Sequence, residues 1–370
     1  MATEPPAVAA GGGSTIPLRE FLAGPGPRRL AAWVLGVSAF TALFAGSFLG
    51  ALHRPRPHHV PIAVVAPTAA VATLQDRVNA VVPGGFALKP YDSAQRATTS
   101  LRDAGVDAVW IPPALPGAAP DDSAGRVAGL FTASALGAGQ TQVIAQTFSG
   151  IGKAAGATVT VTDLVPLRAQ DPFGISSFFF SVGVFFPSFL GSMVLALLLR
   201  RTPALATMAA ILVLAVCVGL IDVAVADGGL GALVGHSGTL IGIGALTSLA
   251  FSAPTVAAVR LLRRLGAVLA LLVFVVLGLP ASGGPFGTAF LPAFHRAFSP
   301  GLPLTNAAYA VRNASYFGGH ALAGHLGALA LWAGAGLLVL GVIAMSEAAT
   351  RPVQPTPSES SPPRNALASR

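Results

Sequence analysis

Leu30 to Leu52 is a run of about 23 residues without one charged side chain, long enough to cross a bilayer. In lipid each backbone N–H and C=O of such a run must be satisfied within the segment, so the run is constrained to be a helix. Five more apolar runs follow: Ile175 to Leu199, Pro203 to Val225, Ser237 to Val259, Leu265 to Leu279 and Ala321 to Met345. Only 10% of the 370 residues are charged, well under the ~25% of an ordinary soluble domain. The fold class expected is therefore an α-helical polytopic membrane protein with six transmembrane helices. The first run follows Arg28-Arg29. It exceeds a secretory h-region and no small-residue cleavage site comes after it, so it reads as a retained helix over 28–52 and not as a signal peptide.

Between the first and second runs, over 53–172, the patterning changes to that of an α/β domain. Ile62 to Ala66, Phe86 to Tyr91, Asp107 to Ile111, Val127 to Ser134 and Thr158 to Thr162 read as strands. Ala70 to Val81, Ser93 to Ala104 and Gln140 to Ala155 read as helices, and the alternation predicts a largely parallel or mixed sheet. Nine basic side chains face eight acidic ones across this interval, which argues against a nucleic-acid partner. The single cysteine, Cys217, lies in an apolar run, so neither a disulfide framework nor a thiolate metal site can be built.

Six crossings put both termini on one side. Arg28, Arg29, Arg200, Arg201, Arg260, Arg263, Arg264 and Arg351 fall on that side, against Arg296 and Arg312 in the opposite short loop. The positive-inside bias then makes both termini cytoplasmic and the α/β domain extracytoplasmic, in a multi-pass protein of the plasma membrane. The usage of Ala, Gly, Pro and Arg with little Lys reads as bacterial. The tails, 1–27 and 346–370, read as disordered, with Ile16 to Leu22 a short interfacial helix in the first.

Residues 281–320, within the five-helix part at 173–345, are too broken by Pro and Gly for a spanning helix and too aromatic for a solvated loop. They read as an outer re-entrant or interfacial hairpin bent at Pro300 and Pro303, in which Arg312 must be paired or snorkel. Cysteines placed at Ser299 or Ser315 are accordingly expected to be accessible from outside. Asp222 is the acidic side chain inside a span, with Asp227 just beyond it. Asp222, Pro300, Pro303, Asn306 and Arg312 are the candidate pathway or gating residues; the sequence offers no catalytic, cofactor-binding or metal-binding set. No G-x-x-x-x-G-K-[ST] occurs, so this chain carries no P-loop ATPase, and it reads as a non-enzyme. Gly235-His236-Ser237-Gly238 with the later His325 resembles the dyad of rhomboid intramembrane serine proteases, whereas the bland reading of the glycines and serine is close helix contact.

Leu291-Pro292-Ala293-Phe294, Phe298-Ser299-Pro300-Gly301-Leu302-Pro303-Leu304, Ala310-Val311-Arg312-Asn313 and Tyr316-Phe317-Gly318-Gly319 resemble the segment before the last helix of ABC-2 type transporter permeases, closest to the YhgE/Pip-like branch. Leu167-Arg168-Ala169-Gln170-Asp171-Pro172-Phe173-Gly174 resembles the short Asp-Pro-x-Gly entry to the second span in actinobacterial relatives. The resemblance implies the permease subunit of an exporter that moves a hydrophobic or amphipathic molecule outward, as a homodimer with a separate ATPase subunit. The alternative is a non-transporting membrane anchor or envelope component whose outer domain binds a partner.

Overall fold

The computed structural model describes residues 25–113, 127–198, 200–233 and 236–350. The tail readings at 1–24 and 351–370, the Ile16 to Leu22 segment, Gly235 and Arg351 lie outside the described residues. The fold is mostly helical, with six helices long and apolar enough to cross a membrane. They are α1 (Gly26–Leu52), α5 (Ser176–Leu198), α6 (Ala204–Val223, continued as a π-helical segment Ala224–Gly229), α7 (Ser237–Leu262), α8 (Arg264–Ala281) and α11 (Leu322–Ala349).

Between α1 and α5 lie β1 (Val60–Val65), α2 (Thr68–Val81), β2 (Phe86–Tyr91), α3 (Ala94–Arg102), β3 (Ala108–Ile111), β4 (Val127–Thr132), α4 (Ala138–Ala154) and β5 (Thr158–Asp163). The sheet order is β2-β1-β3-β4-β5. β2, β1 and β3 run parallel, β4 is antiparallel to β3, and β5 is parallel to β4. The alternation of the strands fills two cores, one on each face of the sheet. Ile62, Val64, Trp110 and Leu130 face α2 and α4, where Phe148 meets both Phe86 and Trp110 at ring-centroid distances of 5.6 and 5.4 Å. Ala63 and Val109 face the opposite way, onto Ala97 and Leu101 of α3. Ser93 stops the chain after β2 and caps α3, its Oγ accepting from Arg96 N at 3.3 Å.

α7 is the central helix of the membrane part and packs against α5, α6, α8 and α11. Close approach depends on missing side chains: Gly219 of α6 lies on the backbone of Ile241 and Ala245, and Gly336 of α11 on that of Ala253 and Pro254. Ser188 Oγ donates to Ser248 Oγ at 2.7 Å, linking α5 to α7 within an otherwise aromatic layer of Phe185, Phe189, Phe251 and Phe274. α8 carries a π-helical segment, Leu272–Leu277, just before Pro280, whose ring and missing N–H disturb the preceding turn.

At the end of the bundle bearing most of the arginines, Glu347 accepts from Ala204 N, the first residue of α6, at 2.7 Å and pairs with Arg260 at 3.2 Å. Arg260 also donates to Thr202 O at 2.6 Å and Thr207 Oγ1 at 2.5 Å. These contacts carry α11 past Met345 as far as Ala349, so Ser346 to Ala349, expected in the tail, are helical. Along α1, by contrast, Leu30, Trp33, Leu35 and Leu49 are all exposed.

Candidate functional site

The 40 residues between α8 and α11 form a structure of their own. Gly283 and Gly287, at φ +76° and +83°, turn the chain so tightly that a Cβ at 283 would strike the backbone of Gly287. The chain then passes under the sheet: Ala289 O accepts from His58 N at 2.9 Å, and Phe290 is buried in the core shared with α2 and α4. A short helix α9 (Ala293–Phe298) follows, its buried His295 sharing a 3.0 Å hydrogen bond with Ser47 Oγ of α1. A 3-10 turn (Ser299–Gly301) reverses the chain into α10 (Pro303–Tyr316), whose side chains are almost all buried among α5, α7 and α11.

The turn sits deep. Gly301 O accepts from Trp332 Nε1 at 2.7 Å, and Trp332 lies ten residues into α11, about 15 Å below its Leu322 end at ~1.5 Å per residue. Backbone broken at that depth needs protein partners in place of water. Asn306 supplies them: its Nδ2 donates to Pro300 O at 2.8 Å and Leu302 O at 2.9 Å, while its Oδ1 meets His325 Nδ1 at 2.9 Å. The His325 ring is in turn stacked on Tyr309, 5.5 Å between centroids. Pro303 opens α10 at the position where a missing N–H costs nothing, and Thr305 Oγ1 donates to Ala281 O at 3.3 Å.

The other end of α10 is tied to the sheet. Arg312, 3% exposed, donates through Nη1 to Leu136 O at 2.9 Å, with its guanidinium 5.2 Å from the Tyr309 ring centroid. Tyr309 Oη accepts from Thr288 N at 3.2 Å. Arg168 donates to Ser315 O at 2.8 Å, and Tyr316 Oη donates to Asp171 Oδ2 at 2.9 Å. Asp171 Oδ1 accepts from Ile175 N and Ser176 N and so caps α5. Burial, then the charge and hydrogen bond of Asp171, push the Tyr316 phenol well above its ordinary range. Beyond α10, Phe317 enters the core shared with α3, and His320 Nδ1 lies 2.6 Å from Asp103 Oδ1. Asp107 receives a 2.5 Å hydrogen bond from Gln140 Nε2. Burial raises its carboxyl from 3.8 to about 6, opposed by that hydrogen bond and by the Arg312 and Lys89 charges.

Four of the five residues read from the sequence thus share one segment: Pro300, Pro303 and Asn306 at its deep turn and Arg312 at its sheet end. Asp222 stands elsewhere, on α6 against Gly183 of α5, and its Oδ2 has no hydrogen-bond partner among the described residues. Ser237 Oγ donates to the Asp227 carboxylate while His325 is held by Asn306, so the two residues of the rhomboid-like pattern have separate partners. Ser299 and Ser315 are 1% and 6% exposed, which corrects the expectation that cysteines there would be open to reagent: α10 and its turn bury both. Gln140, Thr288, Tyr309 and Trp332 were not singled out in the sequence. Of these, the lone Trp in the middle of the last apolar run was the detectable signal.

The architecture defines a class: a helical protein consistent with a multi-pass membrane protein, in which a broken helical hairpin within the bundle is bound to a five-stranded sheet. Comparison of the chain with models of known protein families, with characterised proteins and with solved structures gives no match.

Proposed function

We propose that the protein is the permease subunit of an ABC-2-like exporter, of YhgE/Pip-like type. It moves a hydrophobic or amphipathic molecule outward as a homodimer with a separate ATPase subunit. The arginine asymmetry orients both termini to the cytoplasm and the α/β domain to the outside. The observation that carries the reading is the α9–α10 hairpin. Non-helical backbone at membrane depth is tolerated where protein or a cavity shields it, and interrupted helices of this sort are where transporters bind and gate. Spans with few charged side chains suit a lipid-like cargo.

The test is a deletion strain complemented with wild type, Asn306→Ala or Arg312→Leu. Surface appearance of a labelled amphipathic lipid should be restored by wild type alone at equal membrane levels of the three, and an ATPase should co-purify. Unchanged surface lipid in the deletion strain, with no ATPase recovered, would sink the proposal.

A second reading, an envelope anchor whose outer domain binds a partner, is favoured by a specific observation: the α/β unit holds a large cavity lined by Val64, Trp110 and Ile151. If Asn306→Ala leaves the biological phenotype intact while substitutions in that cavity abolish it, the anchor reading replaces the first.

A further inference from the structure

The connections of β1 and β3 diverge. From β1 the chain leaves over one face of the sheet through α2, and it reaches β3 from the other face through α3. Where neighbouring parallel strands separate their connections in this way, a crevice opens at their carboxyl ends. Here it opens between α2 and α4 as a cavity of about 930 Å³, at the upper end of the usual range for small-molecule sites. Val64, Leu74, Trp110, Pro113 and Ile151 give it apolar walls. Trp110 is only 2% exposed and is braced from behind by Phe148. Gly150 of α4 lines the space, and nothing lies within 4 Å of where its Cβ would stand, so the cavity extends to bare helix backbone. The Thr73 and Thr147 hydroxyls spend their protons on Ala69 O and Val143 O of their own helices. Among the described residues that line it, Arg77 is the one ionisable side chain, set at the exposed rim of α2.

We infer that this crevice binds a monoanionic amphipath, a fatty-acid-like molecule whose acyl body fills the apolar cavity and whose carboxylate meets Arg77 at the mouth. Apolar walls reward burial of a hydrocarbon body and would penalise a polar one. A single guanidinium supplies one charge-assisted contact and so selects one anionic head. The inference holds whether or not the membrane helices transport.

The full chain in lipid nanodiscs is photolabelled with a diazirine analogue of palmitate, and the labelled peptides are mapped. Labelling is expected on 70–77 and 146–155, competed by palmitate but not by methyl palmitate. Gly150→Leu, which fills the cavity, should abolish it, and Arg77→Gln should weaken palmitate competition about tenfold. Label confined to the membrane helices, or equal competition by the methyl ester, overturns the proposal. So does labelling that appears only after residues 114–126 are replaced by a Gly-Ser linker, since the occupant would then be the chain itself. Loss of export with intact photolabelling, or the reverse, separates this site from the transport reading.

Discussion

Arg312 and Asp107 show how much one residue's surroundings decide. An arginine among small apolar neighbours in a Pro-broken segment demands a partner, and that demand is readable from the sequence. The partner is not: it is the carbonyl of Leu136, 176 positions away in the chain, reached because α10 ends against the sheet. Asp107 looked like an ordinary strand-edge aspartate and is instead half-enclosed between Gln140 and the Arg312 side. Its carboxyl rises from 3.8 in the unfolded chain to about 6 in the native one, so the native state binds the proton more tightly. Stability from this group is therefore greatest at low pH, falls as pH climbs from about 4 to 6, and is constant above that. Asp107→Asn, with no charge to bury, should escape the fall. In thermal unfolding of the solubilised protein it should match wild type at pH 4 and exceed it by about 1–2 kcal/mol at pH 7.5, a figure reduced for partial solvent contact. Parallel pH profiles for the two proteins would refute this account of Asp107.

Elements were legible to the extent that they are local. Uncharged length marks α1, α5, α6, α7, α8 and α11, and period-two runs punctuated by Pro, Gly and Asp mark the strands to within a residue or two. The antiparallel sense of β4 was not legible, because strand direction is set by pairing across the sheet and leaves no trace in the strand's own pattern. Helix-face roles of glycines were likewise hidden: Gly334 and Gly336 look equivalent in the sequence, yet Gly334 faces open space and Gly336 lies on the α7 backbone. Gly336→Val should thus force α11 away from α7 and lower the melting temperature sharply, at a cost of about 2–4 kcal/mol or more from overpacking and lost contact. Gly334→Val should stay within about 0.5 kcal/mol. Equal effects at the two positions would mean that α11 packs in a different rotation.

For the whole molecule, orientation is the property to establish, and burial decides where a probe can be placed. Ser299 and Ser315 are enclosed, so exposed sites serve instead. In a Cys217→Ala background, Gln95→Cys should react with an impermeant maleimide on intact cells, and Ala348→Cys only after permeabilisation. The opposite pattern would invert the topology. One further consequence concerns time. Phe290 and Phe317 complete the two cores on opposite faces of the sheet, yet the ribosome makes them more than a hundred residues after β5. At ~5–20 residues per second the sheet waits roughly 6–30 s with two aromatic sockets open. During that interval the nascent domain is a client for chaperones and proteases, and its maturation is clocked by insertion of the hairpin and not by its own sequence.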